Sequence, residues 1–163
     1  MSTAATSALR GPGKLYNLHP GDVVCAGRGD RLQTLLGSCV AVVLTDPRRT
    51  TGVMCHYVHS NPGVAGACHS SAHADVALEE MHALLRSRGI NPMLCEAYAF
   101  GGGNMFPNLM RTPHVGEGNS RWVVDALTRV GVKLLAHDFG GNTYRRLSWT
   151  VGPSAPEVTA VPI

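Results

Sequence analysis

Charge is scarce in this chain. Only 15% of its 163 residues are Asp, Glu, Lys or Arg, against 44% that are hydrophobic. So apolar a composition excludes a disordered protein, which could not bury enough surface to offset chain entropy. The net charge is +3 with no dense Lys/Arg run, so the electrostatic footprint of a nucleic-acid-binding protein is missing. Long apolar runs are missing too. The longest, Cys39–Leu44, is far short of the roughly 20 residues a membrane span needs. Met1–Arg10 is mostly small and polar and lacks the apolar core of a secretory signal. Cysteine is sparse, odd in number at five (Cys25, Cys39, Cys55, Cys68 and Cys95) and without a C-x-x-C pair, which argues against a disulfide framework. These absences lead us to expect a soluble cytoplasmic protein.

The length suits one domain of about 100–200 residues. Residues 1–16 read as a flexible arm and 17–151 as the domain. Residues 152–163, spaced by Pro153, Pro156 and Pro162, read as a loose tail. Between arm and tail, Val- and Leu-rich runs alternate with glycine. They predict strands at Val23–Ala26, Val40–Thr45, Gly52–Val58, Ala97–Phe100, Lys133–His137 and Arg146–Val151. Asp46-Pro47-Arg48-Arg49 joins the second and third as a hairpin turn. Apolar residues three and four apart predict helices over His73–Arg88 and Ser120–Val130. Ser70 or Ser71 would cap the first and Asn119 the second, and Gly89 and Gly131 would stop them. About six strands and two helices in mixed order imply an α+β domain with helices covering a sheet.

Chemistry enters at Gly37-Ser38-Cys39. A turn that feeds a buried strand places a thiol at the strand's start, where N–H groups near Ser38 and Cys39 are available to an oxyanion and Gly37 admits a substrate. A thiol becomes a useful nucleophile only beside a base or positive charge. The candidate base is His56, 17 residues on. If Val40–Thr45 and Gly52–Val58 pair across the hairpin, His56 returns to the start of the first strand, near Cys39. The bland alternatives are a buried cysteine and a strand histidine bonded to a carbonyl. An amide is a poor electrophile with a poor leaving group. Its hydrolysis needs a strong nucleophile, a proton for ammonia and oxyanion donors, and no metal or organic cofactor.

Other motifs carry less. Phe100-Gly101-Gly102-Gly103-Asn104 lacks the Lys-Ser/Thr ending of a phosphate loop and reads as a turn on the wall of the site. Asp138-Phe139-Gly140-Gly141 has none of the accompanying kinase segments. Cys68-His69 with His73, and His56 with His59, could ligate a metal, but neither forms a complete set of familiar spacing.

These segments, in this order, resemble the CheD family, the chemoreceptor glutamine deamidases of bacterial chemotaxis. The likeness runs from Thr34–Cys39 to Asp46-Pro47, through Gly52–His56 and Asp75, to Ala99–Phe106. It continues in Val115-Gly116-Glu117 with Asn119, and in Asp138–Gly141 with Arg145. It spans about Asn17 to Trp149. The tail after Gly152 departs from it, lacking the basic, strand-like ending of the family.

The resemblance implies stacked mixed β-sheets with helices outside. It also implies attack by Cys39 on a receptor glutamine, with His56 as base and Thr34 orienting the histidine or binding substrate. Gly37, Ser38, Gly102 and Asn104 would serve the oxyanion or the substrate. The implied reaction is deamidation of glutamine to glutamate on methyl-accepting chemotaxis receptors, with receptor glutamyl methyl ester hydrolysis as a possible addition. A CheC-type phosphatase is an implied partner. The rival readings are a regulatory module that binds such a phosphatase or the receptor array without catalysis, and a small metal-binding protein.

Overall fold

A computed structural model describes residues 13–60, 70–107 and 114–162. The described residues form two sheets and two α-helices in three layers, with one short 3-10 turn at Pro92–Leu94. The five-stranded sheet, in the order β2 (Val23–Gly27), β5 (Thr51–Tyr57), β4 (Val40–Thr45), β6 (Glu96–Gly101), β7 (Lys133–Phe139), is the middle layer. Helices α1 (Ala74–Ser87) and α2 (Val115–Val130) cover one face. The four-stranded sheet, in the order β1 (Leu15–Leu18), β3 (Arg31–Leu36), β8 (Thr143–Thr150), β9 (Glu157–Pro162), covers the other.

The middle position explains the sequence of β4 and β5. Every residue of both strands is buried, so they read as continuous apolar runs rather than alternating ones. Side chains still alternate between two cores. Val40, Val42, Leu44, Cys55 and Tyr57 meet Ala77, Met81 and Leu85 of α1 and Val123 and Leu127 of α2. Ala41, Val43 and Met54 meet Leu32, Leu36, Leu147 and Trp149 of the other sheet. β4 and β5 pair antiparallel, with Val40 opposite Tyr57 and Ala41 opposite His56. The turn between them is held by the Asp46 carboxylate, which accepts from Thr50 N–H (2.9 Å) and Thr51 N–H (3.0 Å).

The outer sheet departs most from the sequence expectation. β1, β3 and β9 were not anticipated. β1 begins inside the segment read as an arm, whose residues 1–12 lie outside the described ones. The expected loose tail supplies β9, antiparallel to β8 from Thr143–Pro162 to Ser148–Glu157. Its prolines do not interrupt the ladder: Pro153 and Pro156 precede the strand and Pro162 ends it at a sheet edge, where a missing N–H costs little.

Two caps also differ. His73 holds the N-cap position of α1 but its side chain does not cap the helix, while Ser70 Oγ accepts from Ala72 N–H. Helix α2 starts at Val115, where His114 Nδ1 accepts from Glu117 N–H, so Asn119 lies inside the helix. The expected stops hold: Gly89 and Gly131 both have positive φ. Among the described residues no helix is long and apolar enough to cross a membrane.

The sheets meet where Trp149 of β8 lies on Gly52 of β5. A Cβ on Gly52 would fall 2.2 Å from Trp149 Cζ3, so only glycine permits this contact. Gly52→Ala is therefore expected to destabilise the fold by about 1–3 kcal/mol through overpacking. The check is a lower urea midpoint with an unchanged denaturant slope.

Candidate active site

The antiparallel register sets the site. Cys39 precedes β4 and packs against the core between the sheets, on the face that Ala41 and Val43 share. His56 stands opposite Ala41 and projects from the same face, which makes it the diagonal neighbour of Cys39. Such positions lie about 7–8 Å apart at the backbone, within reach of a ring and a thiol. The two side chains therefore lie at the start of β4, on the face that packs against the other sheet.

His56 is 2% exposed, and its surroundings fix it on every side. Its carbonyl accepts from Gly21 N–H (2.7 Å) and its N–H donates to Asp22 O (3.1 Å). Across the intersheet space, Thr34 of β3 lies 2.7 Å from His56 Nδ1 through its Oγ1. The same hydroxyl donates its single hydrogen to Leu18 O at 2.8 Å. A carbonyl can only accept, so Thr34 Oγ1 must itself accept from the ring. This assigns the proton to Nδ1 and leaves the Nε2 lone pair bare. Among the described residues, no hydrogen bond joins that ring to the Cys39 thiol.

Burial dominates the electrostatics. It pushes the His56 pKa from 6.5 down to about 4, with the nearby Asp22 carboxylate opposing. Burial likewise raises Cys39 above the ordinary thiol value of 9.0. At neutral pH the resting pair is thus neutral thiol and neutral imidazole rather than an ion pair.

The turn before Cys39 has both carbonyls anchored. Gly37 O accepts from Gly103 N–H (3.0 Å), and Ser38 O accepts from Asn119 Nδ2 (3.0 Å). Among the described residues, neither the Ser38 nor the Cys39 N–H meets an acceptor. The glycine loop packs directly on this turn. Gly102 N–H donates to Cys39 O at 3.0 Å, so it is taken up by the strand and is not a free oxyanion donor. A Cβ on Gly102 would lie 1.9 Å from Ser120 Oγ of α2, at φ +66. Its role is close packing of loop on helix.

Asn104 is farther out. With Ser38, Gly103, Met105, His114 and Gly116 it lines a cavity of about 170 Å³ beside the turn. Arg145, buried, donates to Gly140 O (2.8 Å) and pairs with Asp138 (3.3 Å), holding the β7–β8 turn. That turn in turn accepts Asn104 N–H at Gly141 O.

The structure thus gathers Thr34, Gly37, Ser38, Cys39 and His56 at one place, with Gly102 behind them and Asn104 at the cavity. Cys68 and His69 lie outside the described residues. Among the described ones no three potential ligands cluster. Asn119 went unrecognised as part of the site. It is 1% exposed, and its Nδ2 bridges Ser38 O and Val58 O (2.9 Å). The available signal was an asparagine in a helical stretch, a residue that favours bonding to backbone over helix interiors.

A thiol just before one strand and an imidazole on its neighbour, in a double sheet backed by helices, mark a small α+β domain with a candidate cysteine–histidine site. The family model described as CheD chemotactic sensory transduction matches residues 60–155. The chain is 38% identical to the probable chemoreceptor glutamine deamidase CheD of Pseudomonas savastanoi pv. phaseolicola, over 80% of this chain and 75% of that one. Identity to the probable chemoreceptor glutamine deamidase CheD 2 of Albidiferax ferrireducens is 30%, over 82% and 80%. The solved Neisseria meningitidis protein NMB0706 aligns with a TM-score of 0.46 at 12% identity, over 83% of this chain and 66% of that one. This chain belongs to the CheD family.

The buried ring gives a signed pH prediction. The unfolded chain protonates this histidine near 6.5 and the folded chain only near about 4. Stability from this group is therefore complete above pH 6.5 and declines as pH falls to about 4, by on the order of 3 kcal/mol. Urea unfolding at pH 7 and 4.5 should show this decline, and His56→Gln should lose that part of it. Nitrogen-detected NMR at pH 7 should find the His56 proton on Nδ1; a proton on Nε2 would contradict the Thr34 assignment.

Proposed function

We propose that this chain is a chemoreceptor glutamine deamidase, converting glutamine side chains of methyl-accepting chemotaxis receptors to glutamate in the cytoplasm. The observation that carries the reading is the bare Nε2 of His56, fixed by Thr34, on the same face as Cys39. The names of the relatives supply the substrate class.

Cys39 is the nucleophile, His56 the base and Thr34 the residue that holds the ring. As Cys39 Sγ bonds to the carboxamide carbon, its proton passes to His56 Nε2 and the carbonyl electrons move onto oxygen. The Ser38 and Cys39 N–H groups are the donors for that oxyanion. Collapse expels the nitrogen, which takes the proton from Nε2 and leaves as ammonia. Water then attacks the thioester, giving its proton to Nε2, and glutamate departs as the proton returns to sulfur. A resting neutral pair suits this sequence, since the thiol loses its proton as the new bond forms.

The same steps would hydrolyse a receptor glutamyl methyl ester, with methanol as the leaving group. Gly37 and the cavity lined by Ser38 and Asn104 would admit the side chain, and a CheC-type phosphatase is the expected protein partner.

Receptor fragments incubated with the wild type should gain about one dalton per converted glutamine, and Cys39→Ala should give none. His56→Gln should lower kcat by about 10²–10⁴-fold. Thr34→Val should lower it by a smaller factor with KM little changed. Equal conversion by wild type and Cys39→Ala would leave only the regulatory-module reading. Because burial raises the thiol pKa, iodoacetamide labelling of Cys39 in the free protein should keep rising with pH past 9.0. A rate already level at neutral pH would mean a preformed thiolate.

A further inference from the structure

We propose that Asn119 is a positioning residue that aims the Cys39 N–H at the oxyanion; this rests on the function proposed above. Asn119 sits one turn into α2, buried, at the junction of three elements. Its amide orientation is unambiguous, because Nδ2 contacts two carbonyl oxygens, those of Ser38 at 3.0 Å and Val58 at 2.9 Å. Only a donor satisfies both. Its main-chain carbonyl accepts from the Tyr57 hydroxyl, so helix and β5 are joined twice, beside His56.

The consequence falls on one peptide plane. Ser38 C=O and Cys39 N–H belong to the same peptide unit, and in a planar trans peptide they point in opposite directions. Anchoring the carbonyl to Asn119 therefore turns the N–H away from α2, and among the described residues nothing accepts it. The following peptide plane is held too, since Cys39 O accepts from Gly102 N–H, which limits rotation about the Cys39 Cα. A donor held in place with no acceptor among the described residues is the form an oxyanion donor takes, because it need not reorganise when charge develops.

A glycine of α2 lets the helix come this close. Gly116 lies against the Gly102 carbonyl, where a Cβ would approach to 2.4 Å, and this contact brings position 119 within reach of the turn.

The test separates acyl transfer to Cys39 from its alkylation. Both need the thiol, but only acyl transfer builds an oxyanion. Rates of Cys39 acetylation by p-nitrophenyl acetate and alkylation by iodoacetamide would be followed by mass spectrometry of the Cys39 peptide. The proteins are wild type, Asn119→Ala, Asn119→Asp and Val123→Ala. Asn119→Asp keeps the volume should Asn119→Ala fold poorly. Val123→Ala opens a cavity in the same helix without touching the turn.

Both Asn119 variants should lose about 10²-fold in acetylation, with alkylation unchanged. Val123→Ala should keep the wild-type ratio of the two rates. An equal fall in both reactions, or no fall in either, would overturn the proposal and leave Asn119 a structural clamp. Failure of the wild type to deamidate receptor glutamines, with the predicted ratios intact, would instead count against the proposed substrate alone.

Discussion

The hydrogen bond between Thr34 and His56 is the contact on which the site depends. It crosses from one sheet to the other and exists only while the two are packed face to face. Its direction is decided by a third group, the Leu18 carbonyl, which takes the only hydroxyl hydrogen. A single geometric fact, one hydroxyl hydrogen already given to a carbonyl, thereby selects the imidazole tautomer and leaves the proton off Nε2. The apolar contacts between the sheets, with Trp149 seated on Gly52, are what keep that bond formed.

Burial serves this arrangement and also constrains it. The same dry core that orders the ring lowers its basicity and raises the pKa of the thiol. A resting ion pair is disfavoured, so the proposed reaction draws on orientation and on stabilisation of charge as it forms, not on a standing thiolate. The backbone around Cys39 is built accordingly. Its carbonyls are tied to the glycine loop and to Asn119, and among the described residues the Ser38 and Cys39 N–H groups meet no acceptor. The glycines at 101–103 and 116 belong to this economy of space: they let loop, helix and strand approach at distances no side chain would allow.

How much of this was legible depended on where each strand lies. All five strands of the middle sheet were anticipated, because burial on both faces writes them as apolar runs. Of the outer sheet only β8 was. β3 shows why. A half-buried strand should alternate, yet Arg31–Leu36 places polar Thr34 inside and leaves Leu35 58% exposed. The break in pattern falls at the residue that bonds the buried histidine: Thr34 lies inside with its hydroxyl on His56 Nδ1 and Leu18 O. β9 was hidden by its flanking prolines and by an exposed edge position that demands few apolar residues. Asn119 was misread because its partners, Ser38 and Val58, are 81 and 61 residues away, and local pattern offered only a cap.

The sequence by itself determined the class of fold, the hairpin of β4 and β5, and with it the diagonal register of Cys39 and His56. Those follow from local periodicity, turn chemistry and the fixed alternation of an antiparallel pair. Tertiary structure alone decided the rest: the tautomer of His56, the depressed basicity of the ring, the occupied N–H of Gly102 and the bridge made by Asn119. Each of these rests on contacts between elements distant in the chain, and on exclusion of water from the space between them, which no local pattern of residues encodes.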